Sequence, residues 1–194
     1  MKNLFIVPGF KEKIGNNKYL WLKNLLKEKG FSVFIVPIKW NYKTMNDYVS
    51  EFKTFYEAHK STNNYILGFS YGAVIAFLTA NDLKPKKLYL CSLSPDFKED
   101  IPNMKKWLLK YIGKRRVGEI KKRSGKEIAK NLKIPSVIFY GEKEAKLYPQ
   151  LKIRCAETAK LANNSKLIIV KNAPHKIDYV EYRSSLIQEL EKIQ

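Results

Sequence analysis

Cysteine and histidine are both scarce in this chain of 194 residues, which has two of each. Cys91 falls in an expected strand and Cys155 in an expected helix, so two buried thiols are expected rather than a disulfide. No cysteine–histidine cluster is present, which argues against structural zinc. No cofactor or metal is implied. Long apolar runs are also lacking, and none approaches the roughly 20 residues that span a bilayer. The first apolar run, ending at Val7, meets Pro8-Gly9 and then Lys11, Glu12 and Lys13. That is too short for a signal peptide. A cytoplasmic protein without a transmembrane segment is the expectation.

Acidic residues are few: 18 Asp and Glu stand against 37 Lys and Arg, a net charge of +19. Such an excess invites a nucleic-acid reading, but lysines are spread over almost every segment, which argues against nucleic acid as the partner. The excess is concentrated between Phe97 and Lys133, with 13 Lys and Arg against 4 Asp and Glu. A solvated surface is the ordinary fate of such charge. An acidic substrate, an anionic membrane surface or RNA are the alternatives. The contents of 45% apolar and 13% aromatic residues are those of a globular chain. The length suits one domain with a full core.

Short β-rich runs alternate with segments of helical period, the pattern of a parallel α/β sheet. Strands are expected at Leu4–Val7, Ser32–Pro37, Tyr65–Gly68, Lys87–Cys91, Ser136–Tyr140 and Leu167–Val170. Their apolar runs are continuous, as in strands covered on both faces. Helices are expected near Lys18–Lys29, Met45–Lys60, Tyr71–Asn81, Met104–Tyr111, Tyr148–Asn163 and Ile177–Ile193. One connection is oversized, from Cys91 to Ser136. It carries Trp107, Leu108, Leu109, Tyr111 and Ile112 among Lys105, Lys106, Lys110, Lys114, Arg115 and Arg116. The bland expectation is a helix covering the sheet with its cations outward. The functional one is a small basic lid at about 97–133, or a surface that touches acidic head groups.

Gly68-Phe69-Ser70-Tyr71-Gly72 lies between an expected strand and an expected apolar helix. A serine at such a turn adopts a strained backbone, and small residues two positions either side let strand and helix pass closely. Its hydroxyl becomes a useful nucleophile only beside a base that is itself oriented by a third group. His59 ends a helix at the far end of the sheet. His175 follows the last strand, where ligands bind in open parallel sheets, so it is the expected base. For the acid, Glu144 is placed first, then Asp96, then Glu142; all three follow strand carboxyl ends. Backbone N–H donors for an oxyanion are expected from Tyr71, at the start of the helix after the serine, and from Phe10, after the sharp turn at Gly9.

With those residues in the order Ser70, Glu144, His175, the chain resembles the α/β-hydrolase superfamily over essentially its whole length. Gly141-Glu142-Lys143-Glu144 resembles that family's G-x-x-D segment, with glutamate for aspartate. Pro8-Gly9-Phe10 resembles its oxyanion turn, with proline for histidine, and Ala173-Pro174-His175 lacks the glycine that many members have before the histidine. The resemblance implies a three-layer α/β sandwich around a mainly parallel six-stranded sheet, without the family's first two strands, as in its small single-domain serine hydrolases. It implies cleavage of an ester, thioester or related acyl bond of a small molecule through an acyl-enzyme. It also puts lids where the 97–133 segment falls. Phe10, Phe69, Tyr71, Trp40 and the Trp107 region are the expected pocket walls, fitting an apolar acyl or aromatic group. The alternative from another class is a catalytically inactive binding protein that keeps the fold and docks RNA, an acidic partner or a membrane through its basic segment.

Overall fold

Six strands, all parallel, form one sheet in the computed structural model, which describes residues 1–12 and 17–193. They are β1 (Lys2–Val7), β2 (Phe31–Ile35), β3 (Asn63–Phe69), β4 (Lys87–Cys91), β5 (Ser136–Gly141) and β6 (Ser165–Val170), in the spatial order β2-β1-β3-β4-β5-β6. Chain order and spatial order differ only at the first two strands. The connection from β1 to β2 runs one way along the sheet and that from β2 to β3 runs back past β1, which opens a crevice at the carboxyl ends of β1 and β3.

The apolar runs are covered on both faces because successive side chains point opposite ways. Phe5, Val7, Ile66, Leu88, Leu90 and Ile138 join one core cluster, while Leu4, Ile6, Leu67, Tyr89, Val137 and Phe139 join the other. The first face is covered by α2 (Met45–His59), α3 (Tyr71–Leu83) and α8 (Pro149–Leu161), the second by α1 (Leu20–Glu28) and α9 (Val180–Leu190). Of the 13 residues in α3, Gly72, Ala73, Val74, Ile75, Ala76, Phe77, Thr79 and Ala80 are buried. That helix is apolar all round because it sits between the sheet centre and α2. The chain enters α2 through a box in which the Thr44 N–H donates to Asp47 Oδ2 at 2.7 Å.

Three expectations change. The first helix opens as a 3-10 turn at Asn17–Tyr19, and Lys13, part of the N-terminal reading, lies outside the described residues. The long connection holds three short helices, α4 (Lys106–Ile112), α5 (Lys114–Ile120) and α6 (Gly125–Lys130). None of α4 is buried, so it does not cover the sheet. It stands at the rim above the strand carboxyl ends. A further helix, α7 (Glu142–Leu147), begins where a loop was expected.

Candidate active site

Ser70 stands between the end of β3 and the start of α3 with φ 55° and ψ −118°. Such a backbone costs a non-glycine residue about 1–3 kcal/mol. Its own N–H donates to the Cys91 carbonyl at 2.8 Å, and its carbonyl accepts from Ala73 N–H at 3.0 Å, so the surroundings hold the turn in place. The glycines permit the close passage. A Cβ at Gly68 would lie 2.5 Å from Ala73 Cα, and one at Gly72 would lie 2.2 Å from the Val7 carbonyl oxygen.

His175 reaches the same place from the loop after β6. With its Nδ1–H donating to Glu144 Oε2 at 2.8 Å, Nε2 is left to accept from Ser70 Oγ at 3.0 Å. The imidazole lies on the Phe69 ring, centroids 4.9 Å apart. Glu144 sits in the first turn of α7 with no exposed surface. It also accepts from Gly141 N–H at 2.7 Å and from Ser92 Oγ at 2.8 and 3.0 Å. The α7 backbone is clamped to the histidine loop. Lys143 N–H donates to the Ala173 carbonyl at 3.0 Å, and a Cβ at Gly141 would lie 2.3 Å from that oxygen.

The other two carboxylates do not meet His175. Asp96 bonds Arg123 at 3.0 Å, and burial pushes its carboxyl up to about 7 against the pull of that guanidinium. Glu142 accepts Asn172 N–H at 3.0 Å, a bond that lowers its pKa. His59 is exposed at the end of α2 against the Phe55 ring, remote from Ser70. Cys91 and Cys155 are free and fully buried, and burial pushes both thiols up, leaving neither as a nucleophile.

Neither the Phe10 nor the Tyr71 backbone N–H has an acceptor among the described residues. The loop that carries Phe10 is held by Glu12, which accepts Gly9 N–H at 2.8 Å as well as Tyr19 OH and Lys18 Nζ. This alters the role expected of Gly9. The positive φ belongs to Lys11, at 61°. A Cβ on Gly9 would stand 3.2 Å from the Glu12 carboxylate.

A cavity of about 600 Å³ opens from Ser70 and His175, walled by Met104, Trp107, Leu108, Leu147, Tyr148 and Leu151. Of the five expected wall aromatics only Trp107 lines it. Phe69 lies beneath the histidine, while Phe10, Trp40 and Tyr71 pack on one another, centroids 5.5 to 6.1 Å apart. Ser94 Oγ stands in the cavity wall 3.4 Å from Ser70 Oγ.

Sequence reasoning passed over Ser92, Tyr182 and Ser94. Ser92 and Ser94 lie in the segment that contains Asp96, just past the end of β4, and that position was the available signal. Nothing in the sequence marks Tyr182, which arrives from α9 to bond Ser92 Oγ at 2.9 Å. Among the described residues no cluster of three or more His, Cys, Asp or Glu suits a metal ion, and no helix is long and apolar enough to cross a membrane.

A parallel sheet covered on both sides, with a strained serine between strand and helix, is the α/β-hydrolase fold. No family model and no curated protein matches the chain. Solved structures do. The esterase Est1E of Butyrivibrio proteoclasticus, with ferulic acid bound, is similar over 99% of this chain and 87% of its own, with a TM-score of 0.78 and 15% identity. An esterase from Exiguobacterium antarcticum is similar over 98% and 91%, with a TM-score of 0.73 and 14% identity. The mouse alpha/beta hydrolase domain-containing protein 10 is similar over 98% and 88%, at 0.72 and 13%. At such identities the likeness speaks of fold.

Proposed function

We propose that this chain is a serine hydrolase that cleaves an ester, thioester or related acyl bond. One observation carries the reading: Ser70 Oγ, His175 Nε2, His175 Nδ1 and Glu144 Oε2 form one hydrogen-bonded line, with links of 3.0 and 2.8 Å. Ser70 Oγ attacks the substrate carbonyl while His175 Nε2 takes its proton. Glu144 stabilises the resulting imidazolium through Nδ1. The carbonyl oxygen becomes an oxyanion facing the Tyr71 and Phe10 N–H groups, and the α3 dipole adds to the first of them. Collapse expels the alcohol or thiol, which takes the proton from His175, and leaves Ser70 acylated. Water then attacks the acyl-enzyme, with the same histidine as base, and releases the acid. The esterase names among the structural neighbours support this reading.

The cavity walls fit an apolar or aromatic acyl group. Two free thiols accord with a reducing compartment such as the cytoplasm. A binding protein that merely keeps the fold would leave the strained Ser70 and the buried Glu144 without a purpose.

A fluorophosphonate probe should label Ser70 and nothing else, and labelling should vanish in His175→Ala. Turnover of a p-nitrophenyl ester should fall about 10⁴-fold or more in Ser70→Ala. Undiminished hydrolysis by that variant would overturn the proposal.

A further inference from the structure

Between Ile101 and Gly118 the chain carries Lys105, Lys106, Lys110, Lys114, Arg115 and Arg116 and no acid. Among the described residues, Lys105, Lys106, Lys110 and Lys114 have no ion-pair partner. On α4, Trp107, Lys110 and Tyr111 share one face by their i, i+3 and i+4 spacing. Trp107 is 65% exposed and Tyr111 72%. Across the cavity mouth, Leu147 is 72% exposed and Tyr148 54%. Trp107, Leu147 and Tyr148 thus stand in water at the cavity that opens on Ser70, with Lys105 beside them and the other unpaired lysines on the same basic stretch. A patch of that kind marks a place where something docks.

We propose that α4 and the start of α5 dock this protein on an anionic lipid surface, with the cavity mouth turned toward it. Charge complementarity favours that partner: each lysine near an anionic head-group layer adds about 1 kcal/mol. Tryptophan and tyrosine suit the head-group level, where a ring meets the acyl boundary and its polar edge stays wet. Leu147 has no polar edge and fits acyl chains. RNA fits less well, because single-strand binding needs a groove that tracks the phosphates, whereas these residues form a rim around an apolar cavity. Docking in this orientation delivers lipid-borne acyl groups to Ser70. That delivery rests on the hydrolase reading, while the docking itself does not.

The test is sedimentation with vesicles of phosphatidylcholine alone or mixed with phosphatidylglycerol. Binding should require phosphatidylglycerol and weaken steeply with added salt. Replacing Lys106→Gln with Lys110→Gln should weaken it about 25-fold, about fivefold per lysine. Tryptophan emission should shift to the blue on binding in the wild type and not in Trp107→Phe. Ser70→Ala should bind as the wild type does, which separates docking from catalysis. Equal binding to both vesicle types, full binding by the double lysine variant, or displacement from vesicles by oligouridylate without any Trp107 shift would each overturn the proposal.

Discussion

Ser92 is the residue on which the Glu144 carboxylate turns. It has no exposed surface and takes φ 56°, a conformation that favours glycine. Its hydroxyl proton goes to Glu144, which only accepts, so its lone pairs receive Tyr182 OH at 2.9 Å. The strain is tolerated because this hydroxyl and the Gly141 N–H leave Glu144 one orientation, with Oε2 toward His175. A glutamate has one more rotatable bond than an aspartate and needs that restraint. Removing the hydroxyl should therefore lower kcat about 10- to 100-fold with little change in KM. Ser92→Ala and Ser92→Gly should be slowed alike, yet the glycine variant should be the more stable by about 1 kcal/mol, because it takes the positive φ freely. Steady-state kinetics beside urea unfolding reads both. Kinetics that follow stability rather than the missing hydroxyl would make Ser92 merely structural.

The six strands were legible to within two residues at their ends because a strand buried on both faces must be a continuous apolar run. Ser70 and His175 could be brought together from the sequence because Ser70 ends β3 and His175 lies in the loop after β6, and a parallel sheet brings all such positions to one edge. The long connection was legible only in part. A helix was expected near Met104–Tyr111 and stands at Lys106–Ile112, and Trp107 was expected either in the stripe of a sheet-covering helix or as a pocket wall; it lines the cavity with Leu108. Periodicity marks an apolar stripe and not what that stripe faces. The helix α7 has six residues and a single buried one, Glu144, so no apolar period announced it. Arg123 ties the basic excursion to the body by bonding Asp96 at 3.0 Å, and within the excursion it also bonds Glu119 at 3.0 Å. Asp96 gives this tether a pH dependence whose sign is unusual for a paired acid. Burial, the largest cause, raises its folded pKa from 3.8 to about 7. Between those values the folded state keeps a proton that the unfolded state has lost, so stability falls as pH rises, by about 1.4 kcal/mol per unit. Asp96→Asn should flatten that part of the curve. The difference in urea midpoint between variant and wild type should move in the variant's favour from pH 5 to pH 8. A constant difference would mean that Asp96 is ionised throughout, held by Arg123.

Over the whole molecule, 37 cations face 18 acids. Even if every acid found a partner, 19 positive charges would remain to repel one another. Two effects of salt then oppose. Screening weakens the surface pairs, such as Lys53 with Asp82 and Lys60 with Glu57, but an exposed pair contributes only about 0–1 kcal/mol. Screening also relieves the repulsion, which acts among all the unpaired cations at once and over longer range. The Debye length shrinks from about 30 Å to about 10 Å between 0.01 and 0.1 M salt. That span covers distances across the whole α4–α5 face, so the repulsive contribution changes most. Added sodium chloride should therefore raise the melting temperature by a few degrees over this range, since about 1 kcal/mol moves it by roughly 2–4 °C at this size. The double variant Lys106→Gln with Lys110→Gln should melt higher than the wild type at the lowest salt and converge with it as salt rises. A melting temperature that falls with salt would show the attractive pairs to dominate.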